Sequence, residues 1–375
     1  MSNQQPDSQD SSAGLAKRPQ GPRKDHLKNY SPEALREKLA GSGLPGYRAE
    51  QLVGWLYQRG VDDFAQMTDL SRDLREQLGR HWRTRALEIV HLATSRDGTK
   101  KLALEAEDGA IIESVLIPEE RRNTLCVSTQ VGCPLACSFC ATGALGFTRN
   151  LSTAEIVDQL CRSREVMDDG ETLSNVVFMG MGEPLLNLPA VSEAIRILIH
   201  PKAFGLAPRR ITVSTAGVVS KIRRLLEVAP VNLAVSLHAT TDAVRDELVP
   251  LNRKVPLEDL LGALRNEPLI NRRRPVFFEY TLMAGVNDSL EDARRLPRLL
   301  DGIPCKLNVI PMNSHPDAPY RAPSRAVIDD FTAVLHEAGL RVTLRRSRGE
   351  DIDAACGQLA RRGLAPAAGQ TVEPA

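Results

Sequence analysis

Three cysteines stand within eight residues, in Cys133-Pro134-Leu135-Ala136-Cys137-Ser138-Phe139-Cys140, a C-x3-C-x2-C run. Iron–sulfur clusters are held by cysteine thiolates, and a [4Fe–4S] cube normally takes four. Three thiolates this close would hold three irons of such a cluster and leave the fourth open to a ligand. Structural zinc is the alternative, but it needs four protein ligands and favours paired C-x2-C knuckles. Cys126, seven residues upstream, would have to supply the fourth from within a strand.

Other residues able to do chemistry are scattered. Gly180-Met181-Gly182-Glu183-Pro184 sets permissive backbone beside a carboxylate. It is not a dinucleotide fingerprint, because Leu185 stands where a third glycine belongs and no helix opens there. Glu113 falls in Ala110-Ile111-Ile112-Glu113-Ser114-Val115 and, in an extended chain, shares a face with Ile111 and Val115. A buried carboxylate there suits a proton acceptor; the plainer reading is a carboxylate satisfied by its neighbours. Cys161 shares a helix face with Val157, and Cys305 alternates with Leu307 and Val309, so both are expected in the core. Spacing alone assigns nothing to Cys356, in Asp351-Ile352-Asp353-Ala354-Ala355-Cys356-Gly357-Gln358-Leu359.

These residues need elements to hold them. From Thr124 onward apolar strand-like runs alternate with helical patterns: Leu125–Ser128, Val176–Met179, Ile211–Ser214, Leu233–Leu237, Val276–Thr281 and Leu307–Ile310. Six βα units imply a mainly parallel sheet with right-handed crossovers. The periodicity does not say whether that sheet is open or curled. Ser152 with Glu155 three residues on is a capping box, and a last helix runs from Ser324 to Gly339. Arg341–Leu344 offers an extra strand. The cysteine run follows the first strand, at the sheet's C-terminal edge, where α/β folds carry out chemistry.

Upstream, residues 1–28 read as a disordered tail, rich in Ser, Gln, Pro and Gly. Residues 29–86 read as a small helical domain, with Ser31-Pro32 opening one helix and a second beginning near Tyr47. Two short helices around a glycine turn suit either a nucleic-acid-binding hairpin or a packing module. Residues 87–120 read as extended linker strands with a turn at Glu107-Asp108-Gly109, and residues 121–346 as the core. Residues 347–375 form a C-terminal segment ending in a Gly/Ala/Pro tail from about Gly363.

Composition fits a globular protein of 375 residues, 42% hydrophobic and 25% charged. Lys plus Arg minus Asp plus Glu is 48 − 47 = +1, so no overall field draws the chain to nucleic acid or membrane. Met1 to Ser12 lack an apolar run, so no secretory signal is expected, and no stretch reaches the roughly 18 apolar residues of a membrane span. Seven cysteines, an odd number, argue against a disulfide framework and for a reducing, cytoplasmic setting.

With these motifs together, a family likeness is plain. The C-x3-C-x-aromatic-C loop after the first of six βα strands resembles the radical S-adenosylmethionine (SAM) superfamily. The longer string Cys126-Val127-Ser128-Thr129-Gln130-Val131-Gly132-Cys133, with the cluster run and Gly146-Phe147, resembles its dual-specificity adenine-C2 RNA methyltransferases. The likeness runs from about Ser31 to Leu359. It implies an α/β fold, a partial (βα)6 barrel with a small helical domain and a short extended segment before it.

The resemblance also implies roles. Cys133, Cys137 and Cys140 would ligate a [4Fe–4S] cluster with one open iron, which SAM chelates; one-electron reduction then yields a 5′-deoxyadenosyl radical. Gly182, Glu183, Ser214, Ser236, Leu237, His238 and Asn313 would contact SAM. Cys356 would carry a methyl group from a first SAM. The radical from a second would activate that group for addition to C2, an electron-poor carbon that cannot attack SAM directly. Glu113 would accept the C2 proton, and Cys126 would close a transient disulfide with Cys356 to release product.

Implied partners are 23S ribosomal RNA, transfer RNA next to the anticodon, and a one-electron donor such as flavodoxin or ferredoxin, with the enzyme a monomer. The C8-methylating relative shares the cluster and both working cysteines, and no single residue decides between C2 and C8. A zinc-stabilised RNA-binding protein is the non-enzymatic alternative. Basic residues gather in three patches: Arg209, Arg210, Lys221, Arg223 and Arg224; Arg272-Arg273-Arg274; and Arg341, Arg345, Arg346 and Arg348. Such patches suit phosphates, although charge runs are more often solvated faces. A paired adenine hides its C2, so the substrate should be a loop or an unstacked segment.

Overall fold

Ten strands form one sheet in which every strand pairs with the next in the chain. They are β1 (Leu87–Thr94), β2 (Lys100–Ala106), β3 (Ile111–Glu119), β4 (Arg122–Cys126) and β5 (Leu173–Phe178). There follow β6 (Ile211–Thr215), β7 (Asn232–Ser236), β8 (Val276–Leu282), β9 (Cys305–Pro311) and β10 (Val342–Leu344). The computed structural model describes residues 24–360 apart from 121 and 317. The tail expected from about Gly363 therefore lies outside the described residues.

From β4 to β10 all pairings are parallel. The first and last of these strands do not pair, yet Thr124 of β4 and Thr343 of β10 line one groove. The sheet therefore curls into a partial barrel without closing. Register gives the curl a consistent inner face: Ser236 lies beside Glu279, Glu279 beside Asn308, and Asn308 beside Thr343. Because side chains alternate along a strand, intervening residues such as Phe278, Tyr280 and Val309 point outward and are fully buried under helices. Tyr280 stacks on Phe331 of the last helix at 5.7 Å.

The helices begin where their caps predict. Ser152 and Glu155 form the capping box of helix Thr153–Arg164, and Ser289 and Ser324 cap the helices Leu290–Leu299 and Arg325–Glu337. Cys161 is buried in the first of these, and Cys305 packs partly buried against the core.

Two expectations need correction. Residues 87–120 are not a linker: β1, β2 and β3 extend the barrel sheet as antiparallel strands joined to β4. Residues 24–28, expected as part of a disordered tail, are structured, while residues 1–23 of that tail lie outside the described residues. Asp25–His26 pairs with Trp82–Arg83, and the fully buried Lys28 is ion-paired and hydrogen-bonded to Asp158. Asp158 also accepts from the backbone N–H of Ala86 and Leu87, at 2.8 and 2.9 Å. A charge is held in the interior only with such partners, so this network pins the N-terminal helical region onto the barrel.

Among the described residues no helix is long and apolar enough to cross a membrane.

Candidate active site

The cysteine run lies beyond the C-terminal end of β4. A short hairpin, Gln130–Gly132 with Phe147–Asn150, draws the loop closed, and Cys133 N–H donates to Gly146 C=O at 2.8 Å. Ala136, between the first two cysteines, has φ 51, a left-handed conformation that a residue with a Cβ rarely adopts. Cys133, Cys137 and Cys140 all line one cavity of about 170 Å³. All three are free thiols, and burial pushes each pKa upward, that of Cys133 to about 12. Burial of unpaired thiols fits a donor set for an iron cluster, since a bound metal deprotonates its thiols outright. Among the described residues, no three His, Cys, Asp or Glu converge on a point as a single-ion site would require.

The opposite wall carries the predicted SAM contacts from successive strand ends. Gly182, Glu183, Ser214, Ser236 and His238 all line the cavity. Gly182 has φ 101, and a Cβ there would stand 2.6 Å from Gln130 Cβ, so only glycine fits. Glu183 is buried, which raises its pKa to about 7, against N–H donors from Ala216 and Leu185 at 2.8 and 3.1 Å. His238 sits at φ 58, with its ring edge-on to Phe139 at 4.7 Å. Burial lowers its pKa to about 3, and Nδ1 accepts from Thr281 N–H at 3.0 Å, so the neutral ring carries its proton on Nε2.

Leu237 and Asn313 do not line the cavity. Leu237 is buried in the core, and its backbone is clamped between Glu279 C=O and the Arg245 guanidinium. Asn313 faces the tail instead: Nδ2 donates to Cys356 C=O at 3.0 Å, and Oδ1 accepts from Ser347.

Cys356 itself is exposed to the cavity, on the wall beside Cys140. Its loop is fastened from three directions. Ala141 N–H donates to Gly357 C=O at 2.8 Å, and Gln358 Nε2 to Ser314 C=O at 3.0 Å. Lys101 Nζ donates to Asp353 C=O at 3.3 Å, and Asp353 is another left-handed residue, at φ 53. Crowding by protein atoms raises the Cys356 pKa, opposed by the Arg345 charge. Cys126 is buried and its thiol is pushed to about 12, first by burial and then by the charge of Cys356. Glu113 is buried, but away from the cavity, with Lys101 Nζ 3.3 Å from its carboxylate.

Sequence reasoning missed Arg245. Fully buried, it donates to the carbonyls of Ala216, Ser236 and Leu237 at 2.8 to 3.0 Å and so ties together the strand ends that line the cavity. Burial lowers its pKa to about 10. In the sequence it reads as one more charge on the short helix Asp242–Leu248. The basic patches also regroup. Arg209 and Arg210 meet Arg345, Arg346 and Arg348 around one groove, whereas Arg223 is ion-paired with Glu267 and lies outside it.

A curled parallel sheet with three free cysteines and a Gly-x-Gly-Glu turn at its C-terminal edge is the architecture of a radical SAM enzyme, whose cofactors are a [4Fe–4S] cluster and SAM. The radical SAM superfamily model matches residues 127–296, and the model described as ribosomal RNA large subunit methyltransferase N-terminal domain matches 26–83. The crystal structure of a radical SAM methyltransferase from Sphaerobacter thermophilus superposes with a TM-score of 0.84 at 44% identity, covering 89% of this chain and 98% of that one. The dual-specificity RNA methyltransferase RlmN of Geobacter sulfurreducens is 51% identical over 334 residues, 89% of this chain and 91% of its own. That of Marinobacter nauticus is 48% identical over 335, covering 88% and 90%. The chain belongs to the RlmN family of dual-specificity RNA methyltransferases.

Proposed function

We propose that this chain methylates C2 of adenosine in 23S ribosomal RNA and in transfer RNA 3′ of the anticodon. The observation that carries the reading is that Cys356 lines the same cavity as Cys133, Cys137 and Cys140, its loop tied to the cysteine loop by the Ala141 N–H to Gly357 C=O bond. Curated relatives named as dual-specificity RNA methyltransferases support the substrate class.

In this reading Cys133, Cys137 and Cys140 hold the cluster, leaving one iron open. Glu183 takes the ammonium of SAM, and Ser214, Ser236 and His238 shape its pocket. Bound there, the cluster and two SAM molecules per turnover supply a methyl group and a radical able to take hydrogen from a thioether methyl. Cys356 accepts the methyl as a thiolate, and its activated S-CH2 carbon bonds to C2. C2 would then lose one electron, for which the cluster oxidised in forming the radical would be the acceptor, and its proton, which would pass toward Glu113, outside the cavity and sharing Lys101 with the Cys356 loop. Cys126, as a thiolate, attacks the Cys356 sulfur; the C–S bond breaks with its electron pair going to the CH2 carbon, which takes up a proton to become the methyl group, and methylated RNA leaves a Cys126–Cys356 disulfide. A flavodoxin or ferredoxin returns the electrons. The enzyme works as a cytoplasmic monomer.

Reconstituted protein, turned over anaerobically with RNA, SAM and reductant, tests this by mass spectrometry of the digested nucleosides. The expected product is 2-methyladenosine together with 5′-deoxyadenosine. Finding 8-methyladenosine reassigns the position, and finding neither in an iron-free protein favours a zinc-stabilised RNA-binding module.

A further inference from the structure

A second, wider opening lies at the other end of the barrel. A groove of about 890 Å³ is floored by inward-facing polar strand residues such as Asn175, Asn232 and Asn308, with arginines on its rim. It shares Met179, Glu279 and Arg345 with the active-site cavity, so the two spaces abut through the barrel interior.

Glu279 stands at that junction. It is only 5% exposed, and Oε1 accepts from Asn308 Nδ2 at 2.8 Å. Oε2 is buried and accepts no hydrogen bond; the nearest cation, Arg345 Nη1, is 3.8 Å away. A buried carboxylate oxygen without a donor is costly, and a donor brought by a ligand relieves that cost. Burial also raises the Glu279 pKa, and its charge reaches the Cys356 thiol. None of the roles assigned above uses this residue.

We propose that Glu279 is the base-reading residue: its free Oε2 accepts a hydrogen bond from the exocyclic N6 amine of the target adenine. This rests on the adenine-methylating reading above. Enzymes that modify bases read the extruded base by hydrogen bonds to its edge, and a carboxylate is an acceptor that pairs with an exocyclic amine. Guanine and uracil present a carbonyl oxygen at the corresponding position and are repelled. The flanking phosphates lie along Arg209, Arg210 and Arg346 at the groove rim. SAM carries an adenine too, but its amino-acid end is drawn to Glu183 and the cysteine loop, whereas Glu279 opens on the arginine groove as well.

The test uses an RNA stem-loop with a single target adenosine and the same stem-loop with purine ribonucleoside, which lacks only the N6 amine. Binding is read by fluorescence anisotropy and turnover as kcat/KM, for wild type, Glu279→Gln and Glu279→Ala. Wild type is expected to prefer adenosine by roughly 10- to 100-fold in kcat/KM, the worth of a hydrogen bond to a charged group. Glu279→Ala should bring the two substrates to near equality, with Glu279→Gln between them. Wild-type indifference to the missing amine overturns the assignment while leaving the methylation reading intact, and needs no variant to fold. A Glu279→Ala enzyme that keeps its adenosine preference overturns it too, as does one whose only change is a raised KM for SAM. Failure of wild type to methylate either RNA removes the function reading and this inference together.

Discussion

Asn313 Nδ2 donates to the backbone carbonyl of Cys356 at 3.0 Å, joining the loop after β9 to a cysteine 43 residues further along the chain. The bond fixes where the Cys356 sulfur meets the cavity. Asn313→Ala should therefore lower the RNA methylation rate roughly 5- to 100-fold, the range for losing a buried hydrogen bond of about 1–3 kcal/mol. The KM for SAM should change much less, because the Asn313 side chain is turned to the tail. Steady-state kinetics with each substrate varied in turn separate the two effects.

The pH dependence of SAM binding follows from Glu183. Burial holds its carboxyl near pH 7, and pairing with an ammonium requires the ionised form. As pH falls through 7 the carboxylate takes a proton and the pair is lost. The KM for SAM should rise on the acid side, approaching about tenfold per pH unit well below the pKa. Glu183→Gln should raise KM at neutral pH and flatten the profile between pH 6 and 8. His238, held near pKa 3, contributes nothing to that window.

Loss of Asp158 would leave Lys28 buried without its closest anion. Removing one partner of a buried pair costs about 3–5 kcal/mol. Asp158→Ala should show that loss in urea unfolding, and limited proteolysis should open first near residues 24–30. Lys28→Met should cost less, because Asp158 keeps Arg162 at 3.6 Å and the N–H donors of Ala86 and Leu87.

The groove arginines bear on RNA through phosphates. Each phosphate contact removed should lower the slope of log affinity against log salt by about 1. Arg209→Ala with Arg210→Ala should weaken binding of all RNA sequences alike and cut the salt slope. Arg223→Ala, which breaks an ion pair away from the groove, should leave the slope unchanged.

Much of the site could be read from the sequence because its chemistry is local. The C-x3-C-x2-C run follows a strand, the Gly-x-Gly-Glu turn follows another, and the capping box at Ser152 marks the helix between. What stayed hidden depends on partners far along the chain. Lys28 looks like part of a polar tail until Asp158, 130 residues away, meets it. Residues 87–120 look like a linker because antiparallel pairing to β4 leaves no mark on periodicity. The order of the Cys356 loop comes from Lys101, Ala141 and Ser314, which no window around Cys356 contains. Arg245 and Glu279 look like surface charges, since burial, which gives each its meaning, is a property of the assembled barrel.

The two-cysteine mechanism is the centre of the account, and trapping tests it most directly. Cys126→Ala, given SAM, reductant and RNA under anaerobic conditions, lacks the thiol that releases product. Peptide mass spectrometry should find the target adenosine joined through one carbon to Cys356, with little free methylated RNA. Release of methylated RNA at the wild-type rate, or attachment of the nucleotide to any other residue, would contradict the account.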